Sequence, residues 1–171
     1  MEEVTLSLTL HVPSLVLLPS FREALAEYQA EGRHLNLSAE TLPEYTAGLA
    51  DRASTVLPGR VPESVFWGVV DGEYVGRVSL RHFLNPHLEQ WGGHIGYEVH
   101  PTSRGRGYGH ALLTGVLPHT RALGLKRTLL HCDDTNLASA RIIERAGGVF
   151  AGSTLNLERG RAPGRAYWIS I

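Results

Sequence analysis

The chain has 171 residues, 43% of them hydrophobic and 19% charged, and 16 basic against 17 acidic residues leave a net charge of −1. This composition suits a single domain spanning residues 1–171 and excludes an intrinsically disordered protein, which needs low hydrophobicity and a high net charge. The balanced charge gives no argument for a nucleic-acid or membrane partner, and the single cysteine, Cys132, excludes disulfide frameworks and multi-thiolate metal sites. No apolar run reaches the roughly 18 residues of a membrane span, and the start Met1-Glu2-Glu3 is unlike a secretory signal. We therefore expect a soluble cytoplasmic protein without a metal cofactor.

The first 60 residues predict one strand and two helices. Apolar and polar residues alternate over Thr5–Val12, which is the period of a strand with one buried face. Large apolar residues recur at helical spacing between Ser20 and Gly32, and again between Ser38 and about Ala53.

The middle of the chain predicts an antiparallel sheet. Val65–Val70 and Tyr74–Leu80 are apolar runs joined by Asp71-Gly72, a dipeptide that favours a type I′ hairpin turn. A polar segment, Asn85–Gln90, precedes a third strand over His94–His100.

Helices and strands alternate in the last third of the chain. One helix is predicted over Tyr108–Leu123, with a kink or restart at Pro118 because proline lacks the amide donor. Asn136 is a favourable N-cap for a second helix that Gly147 ends. Short strands are predicted over 128–132, 149–150 and 167–171. The pattern indicates an α+β (mixed α/β) fold, with a mostly antiparallel sheet of six or seven strands flanked by about four helices.

Charge is distributed unevenly along the chain. Residues 1–100 hold six basic and thirteen acidic residues, a net charge of −7, whereas residues 101–171 hold ten basic and four acidic residues, a net charge of +6. This asymmetry suggests one anionic and one cationic partner. The alternative is that folding interleaves the charges into a mixed surface.

The most informative stretch joins the predicted strand 94–100 to the helix that begins at Tyr108. Closely spaced glycines allow a close backbone approach, and the helix start adds unpaired N–H donors and a positive dipole end. Arg104 and Arg106 add positive charge. Together these features predict a site for a phosphate or pyrophosphate. The loop consists of Arg104, Gly105, Arg106, Gly107, Tyr108 and Gly109.

Other phosphate-binding patterns fit this stretch less well. A Walker A loop needs a Lys-Ser/Thr pair, and the only lysine is Lys126. A dinucleotide fingerprint starting at Gly105 would need glycine where the chain has His110. An RNA-binding loop would need repeats and interleaved aromatic residues. The remaining alternative is a solvent-exposed turn, in which glycines are common and have no binding role.

Two elements of the chain resemble the GNAT superfamily of N-acetyltransferases. Arg104-x-x-Gly107-x-Gly109 is similar to the superfamily's acyl-CoA pyrophosphate loop, Q/R-x-x-G-x-G/A. The segment from Asn136 to Gly147 resembles its second element, an Asn-led helix beside the pantetheine arm. With 93–97, the combination looks closest to a bacterial subgroup of predicted acetyltransferases. The resemblance implies a GNAT-like fold with a splayed parallel strand pair.

The resemblance also implies site residues and acetyl-CoA as cosubstrate. Val99 would offer backbone groups to the pantetheine and the acyl carbonyl, and the amides of Arg104–Gly109 would hold the pyrophosphate. Asn136 would bond the pantetheine arm, with the Ser139 hydroxyl nearby. The implied reaction is direct attack of a neutral amine on the thioester, with an N–H group polarising the carbonyl.

The sequence offers three candidates for the general base and no tyrosine at the family's general-acid position. Many relatives place a tyrosine, as general acid, where this chain has Ile143. Some relatives place a Glu on the fifth strand, five residues before the Asn, where this chain has His131, which the resemblance makes the first candidate for the base. Others carry Glu or His at the start of the fourth strand, where this chain has His94, the second candidate. Glu98 is the third, although strand alternation could turn it away from the cleft. With nine histidines in the chain, a structural role is the strong alternative for each.

Three functions remain in competition at this point. The preferred one is an acetyl-CoA-dependent N-acetyltransferase acting on a small-molecule or protein amine. Its rival is a non-catalytic acyl-CoA-binding sensor or regulatory domain, which the missing tyrosine favours slightly. A nucleic-acid-binding protein is disfavoured by the charge of −7 in residues 1–100. The oligomeric state stays open between a monomer and a homodimer.

Overall fold

The computed structural model describes residues 7–55, 57–154 and 163–171, which form seven strands and five α-helices. The strands are β1 (Thr9–His11), β2 (Glu63–Val70), β3 (Glu73–Arg81), β4 (Ile95–Val99), β5 (Arg127–Asp133), β6 (Val149–Thr154) and β7 (Gly164–Ser170). The helices are α1 (Leu18–Ala30), α2 (Leu42–Asp51), α3 (Pro86–Gln90), α4 (Tyr108–Ala122) and α5 (Leu137–Arg145). The expected mixed α/β class is confirmed. Within the described residues, no helix combines the length and the apolar character that crossing a membrane requires.

The strands form two sheets, where the sequence predicted one. The first is antiparallel in the order β1-β2-β3-β4, and the second is antiparallel in the order β5-β7-β6. Helix α4 connects β4 to β5, but within the described ranges these two strands form no ladder. They approach at one end, where the His94 N–H donates to the Leu129 carbonyl at 2.8 Å. A gap therefore opens between β4 and β5 beyond this contact.

Two apolar cores lie on opposite faces of the first sheet. Helices α1 and α2 pack on one face around the fully buried Trp67 and Tyr74. Helices α4 and α5 pack on the other face, where Leu112 and Leu113 meet β3, β4 and the second sheet. Side chains that point away from the α4–α5 core therefore face the side of α1, α2 and α3.

Local sequence signals account for most element boundaries. Asp71 and Gly72 have φ values of +50° and +79°, which confirms the predicted type I′ hairpin turn. The predicted first strand is shorter than expected within the described residues, and its first two residues, 5 and 6, lie outside them.

Two expectations of local structure need correction. The restart considered at Pro118 does not occur, because α4 runs on as one helix through this proline, which is exposed and lies near the helix end. The segment expected as a polar excursion is helix α3, because the Asn85 side chain accepts a hydrogen bond from the Leu88 N–H at 2.9 Å and Pro86 occupies the first turn.

Candidate functional site

The edge of β4 presents free backbone groups to the gap between the sheets. The Arg81 N–H donates to the His94 carbonyl and the His100 N–H donates to β3, so these alternate positions of β4 bond toward β3. In an antiparallel pair the residues between such positions point their N–H and C=O groups the other way. The backbone groups of Tyr97 and Val99 therefore face the gap, where no described strand pairs with them. This is the position at which the sequence predicted Val99 to meet a ligand.

The glycine-rich loop follows directly from this edge. After a short 3-10 turn over Pro101–Ser103, Gly105 and Gly107 adopt φ values of +77° and +85°, a region that favours glycine. Gly107 is the N-cap of α4 and no side chain caps this helix, so its first-turn N–H groups stay available. At Gly109 the start of α4 lies close to α5, because a Cβ atom there would lie 2.8 Å from Ile142 Cδ1.

The two arginines of this loop differ in their surroundings. The Arg104 guanidinium donates two hydrogen bonds to the Glu31 carboxylate, at 2.7 and 2.9 Å. These bonds lower the pKa of Glu31 below its ordinary value. The loop is also fixed through Thr102, whose N–H and hydroxyl both donate to Glu27. Arg106 is exposed. The C-terminal end of α1 thus holds the loop in place.

The start of α5 lies on the far side of the gap. The Asn136 side-chain oxygen accepts a hydrogen bond from the Ser139 N–H at 3.1 Å, so the predicted N-cap is present. The Ser139 hydroxyl lies 2.7 Å from the Tyr97 hydroxyl, which joins β4 to α5. Burial raises the pKa of Tyr97 to about 12, against the opposing effect of the bond with Ser139. This hydroxyl pair is therefore protonated at neutral pH. Ile143 is fully buried in the second core.

Glu98 points away from the α4–α5 core, into a cavity of about 200 Å³ that His34 also lines. Its two carboxylate oxygens lie 2.9 Å from His34 Nε2 and 3.3 Å from an Arg33 nitrogen. Burial is the largest single effect and raises its pKa. The hydrogen bond with His34 and the nearby positive charges outweigh it, so the net pKa of Glu98 is lowered. Glu98 is therefore an ionised carboxylate that faces open space.

The two histidines favoured by the sequence lie in closed surroundings. His94 is 5% exposed, and its Nδ1 accepts a hydrogen bond from the Leu129 N–H. The single lone pair of a neutral imidazole is then occupied. Both ring nitrogens of His131 are enclosed and lack a well-formed hydrogen bond in the described part of the chain, where the Glu89 backbone is only a weak partner. Burial lowers the pKa of both rings, and for His131 the Glu89 backbone partly opposes this.

His34 is not among the site residues that the sequence predicts. It lies 64 residues before Glu98, in the connection between α1 and α2, with a φ of +53°. No local motif marks it, because its proximity to β4 depends on how α1 packs on the sheet. Among the predicted site residues, the structure groups Val99, Arg104–Gly109, Asn136 and Ser139 around the gap.

Comparisons with known proteins agree with this architecture. A family model described as an acetyltransferase (GNAT) domain matches residues 22–149. A mycothiol acetyltransferase of Mycobacteroides abscessus is 37% identical over 83 residues, which are 47% of this chain and only 27% of that protein. The chain therefore spans about a quarter of the curated relative that it matches.

Solved structures show the same fold. The ribosomal alpha-N-protein acetyltransferase RimL in complex with coenzyme A superimposes with a TM-score of 0.74 at 17% identity, covering 98% of this chain and 96% of that one. The microcin self-immunity acetyltransferase MccE, in complex with acetyl-CoA and AMP, gives 0.75 at 14% identity, covering 96% and 92%. Since the family model matches well over half of the residues, the chain belongs to the GNAT acetyltransferase domain family.

Proposed function

We propose that this protein is a cytoplasmic acetyl-CoA-dependent N-acetyltransferase that acts on a primary amine, with residues 1–171 working as one domain. One observation carries the proposal. The open backbone edge at Tyr97 and Val99 leads directly to the positive-φ glycines and the uncapped start of α4. Only one short turn lies between them. A thioester held along that edge and a pyrophosphate held by the loop would belong to one extended molecule.

The residues around the gap suit an acyl-CoA. The amides of Arg104–Gly109 would bind the pyrophosphate, and the exposed Arg106 adds a positive charge. The Val99 backbone and the Asn136 amide would bind the pantetheine arm. Bound acetyl-CoA supplies an activated acetyl thioester. RimL and MccE, which share the fold, are complexes with coenzyme A and acetyl-CoA, which supports this assignment.

The acceptor would approach from the Glu98 face of β4. Attack forms the N–C bond and breaks the C–S bond, so one proton leaves the amine and one reaches the thiolate. Glu98, held by His34, is the ionised group that opens into the cavity and would accept the amine proton, directly or through water. The Tyr97–Ser139 hydroxyl pair would donate to the thiolate. A backbone N–H at the β4 edge would polarise the carbonyl.

A transfer assay tests the proposal. The purified protein is incubated with acetyl-CoA and a panel of primary amines, while free CoA thiol is measured and acetylated products are identified by mass spectrometry. We expect thiol release that depends on the amine and matches acetylated product one to one. Tight acetyl-CoA binding without any acetylated amine would overturn the enzyme and favour the acyl-CoA sensor.

A further inference from the structure

A second, larger cavity lies beside the acceptor face and carries a concentrated positive charge. It has a volume of about 410 Å³ and borders β2, β3 and α3. Glu63 is the only acid among its described lining residues. Four of the six arginines in residues 1–100 line this cavity, although that half of the sequence has a net charge of −7. These are Arg52, Arg60, Arg77 and Arg81.

Two of the four arginines already have a carboxylate partner. Arg52 lies 2.6 Å and Arg81 3.7 Å from oxygens of Glu63. Arg77 instead donates to two neutral groups, the Tyr45 hydroxyl at 3.0 Å and the Ser79 hydroxyl at 3.3 Å. These bonds fix the direction of its guanidinium without neutralising it.

Arg60 is exposed at the mouth of the cavity. Among the described residues, no carboxylate lies within ion-pair distance of Arg60 or Arg77. A partly buried guanidinium that is oriented by neutral groups is a pre-organised receptor for a carboxylate or phosphate.

Arg77 also connects this cavity to Glu98. The two residues are directly opposite each other across β3 and β4, and both line the smaller cavity that contains His34. Opposed residues in an antiparallel pair point to the same face, and in a hydrogen-bonded pair such as this one the Cα atoms are about 5.5 Å apart. The Glu98 oxygens are held by His34 and Arg33, so Glu98 does not neutralise Arg77 by direct contact.

We propose that the acceptor is a small amine that also carries an anionic group, a carboxylate or a phosphate, within a few bonds of the amine. Arg77 and Arg60 bind the anionic group while the amine lies beside Glu98. This inference rests on the proposed N-acetyltransferase function and narrows its substrate class.

Matched acceptor pairs test the inference. Phosphoethanolamine is compared with ethanolamine, and β-alanine with β-alaninamide, so that each pair differs in the anionic group. We expect kcat/KM to favour the anionic member of at least one pair by about tenfold or more, which corresponds to about 1.4 kcal/mol. The preferred pair distinguishes phosphate from carboxylate.

Variants locate the effect. Arg77→Gln removes the oriented guanidinium, and Arg60→Gln tests the same site at an exposed position that folding tolerates. In both variants the ratio of kcat/KM between the anionic and the neutral member of each pair should approach one, mainly because KM of the anionic member rises. Arg121→Gln, an exposed arginine on α4, is the matched control and should leave the ratio unchanged.

Direct binding separates the inference from the proposed function. Phosphoethanolamine, ethanolamine, β-alanine and β-alaninamide are titrated calorimetrically into protein saturated with CoA. If no amine is acetylated but an anionic amine binds and Arg77→Gln abolishes this, the N-acetyltransferase function fails and the anion site stands. If neutral and anionic amines are acetylated equally well, the function stands and the inference is overturned. Anionic binding or turnover that Arg77→Gln and Arg60→Gln leave unchanged also overturns it.

Discussion

His94 and Leu129 exchange two hydrogen bonds where the two sheets meet. The His94 N–H donates to the Leu129 carbonyl at 2.8 Å, and the Leu129 N–H donates to His94 Nδ1 at 2.9 Å. The preceding Gly93 allows this approach, because a Cβ atom there would lie 2.3 Å from the Leu129 oxygen. Since Nδ1 must keep its lone pair to accept, the folded state holds this ring neutral.

Stability should therefore fall on mild acidification. Burial and the charge of Arg81 lower the pKa of His94 below its ordinary value of 6.5. The unfolded chain then binds more protons than the folded chain as the pH falls below about 6.5, so this contribution is complete above that pH and decreases below it. Urea unfolding at about pH 7.5 and about pH 5.5 measures the difference.

His94→Asn should have a smaller difference between the two pH values than the wild type. His131 acts in the same direction, because burial also lowers its pKa, so part of the difference should persist. The lowered pKa of Glu98 acts only below its ordinary value of 4.5, outside this range. An identical pH difference in His94→Asn and the wild type would contradict the prediction.

Glu98→Gln should impair turnover more than His131→Ala. Glu98 opens into a cavity, whereas both ring nitrogens of His131 are enclosed. Removing a general base typically costs about 10²-fold or more in kcat, and acetyl-CoA affinity should change little because Glu98 faces away from the α4–α5 side. Steady-state kinetics with a working acceptor provide the measurement.

A pH–rate profile distinguishes the two candidate bases. If His131 is the base, as the sequence favoured, His131→Ala should lose the acidic limb of the profile. If His131→Ala loses both rate and acidic limb while Glu98→Gln keeps them, the sequence-based order of candidates is right and the order from the geometry is wrong. Loss of activity in His94→Ala alone would be attributed to the sheet contact and checked by its unfolding temperature.

Gly107→Val should weaken acetyl-CoA binding more than Arg106→Ala. Gly107 has a φ of +85°, where a side chain costs about 1–2 kcal/mol and would crowd the amides of the loop. Arg106 is exposed, so its removal loses only a screened charge. Calorimetric titration compares the Kd values. Gly124→Val is the control, because Gly124 has a similar φ of +80° beyond the other end of α4. Equal Kd values for Gly107→Val and the wild type would refute the pyrophosphate assignment.

Asn136 should contribute to both stability and affinity. Asn136→Ala removes the cap on the Ser139 N–H and should cost about 1 kcal/mol of unfolding free energy. Asn136→Asp keeps an acceptor for the cap but loses the amide donor, so it should remain stable and bind CoA more weakly. Thermal unfolding and CoA titration of both variants separate the two roles. Normal CoA binding by the Asp variant would leave Asn136 with a structural role alone.

Features that depend on neighbouring residues were predictable from the sequence. The Asp71-Gly72 turn and the Asn136 cap each follow from the chemistry of two to four consecutive residues. The restart considered at Pro118 did not allow for a proline that is exposed near a helix end, where the helix continues past it. The same local chemistry, read at Asn85 and Pro86, would have indicated α3.

Long-range contacts were not predictable in this way. The pairing of Glu98 with His34 joins residues 64 apart, and the split of one expected sheet into two depends on how α4 and α5 pack against both sheets. Total charge was also a poor guide, because folding gathers four arginines of an acidic half around one cavity. Each of these features depends on packing between distant elements rather than on local preference.

The segment 27–34 contacts both ends of the candidate site. Glu31 binds Arg104 of the glycine loop, and three residues later His34 binds Glu98. If a bound phosphate took Arg104 from Glu31, that carboxylate would lose its partner only three residues before His34, which holds the proposed base. Under the proposed function, the acyl-CoA and the amine would then each change the affinity for the other by the same factor.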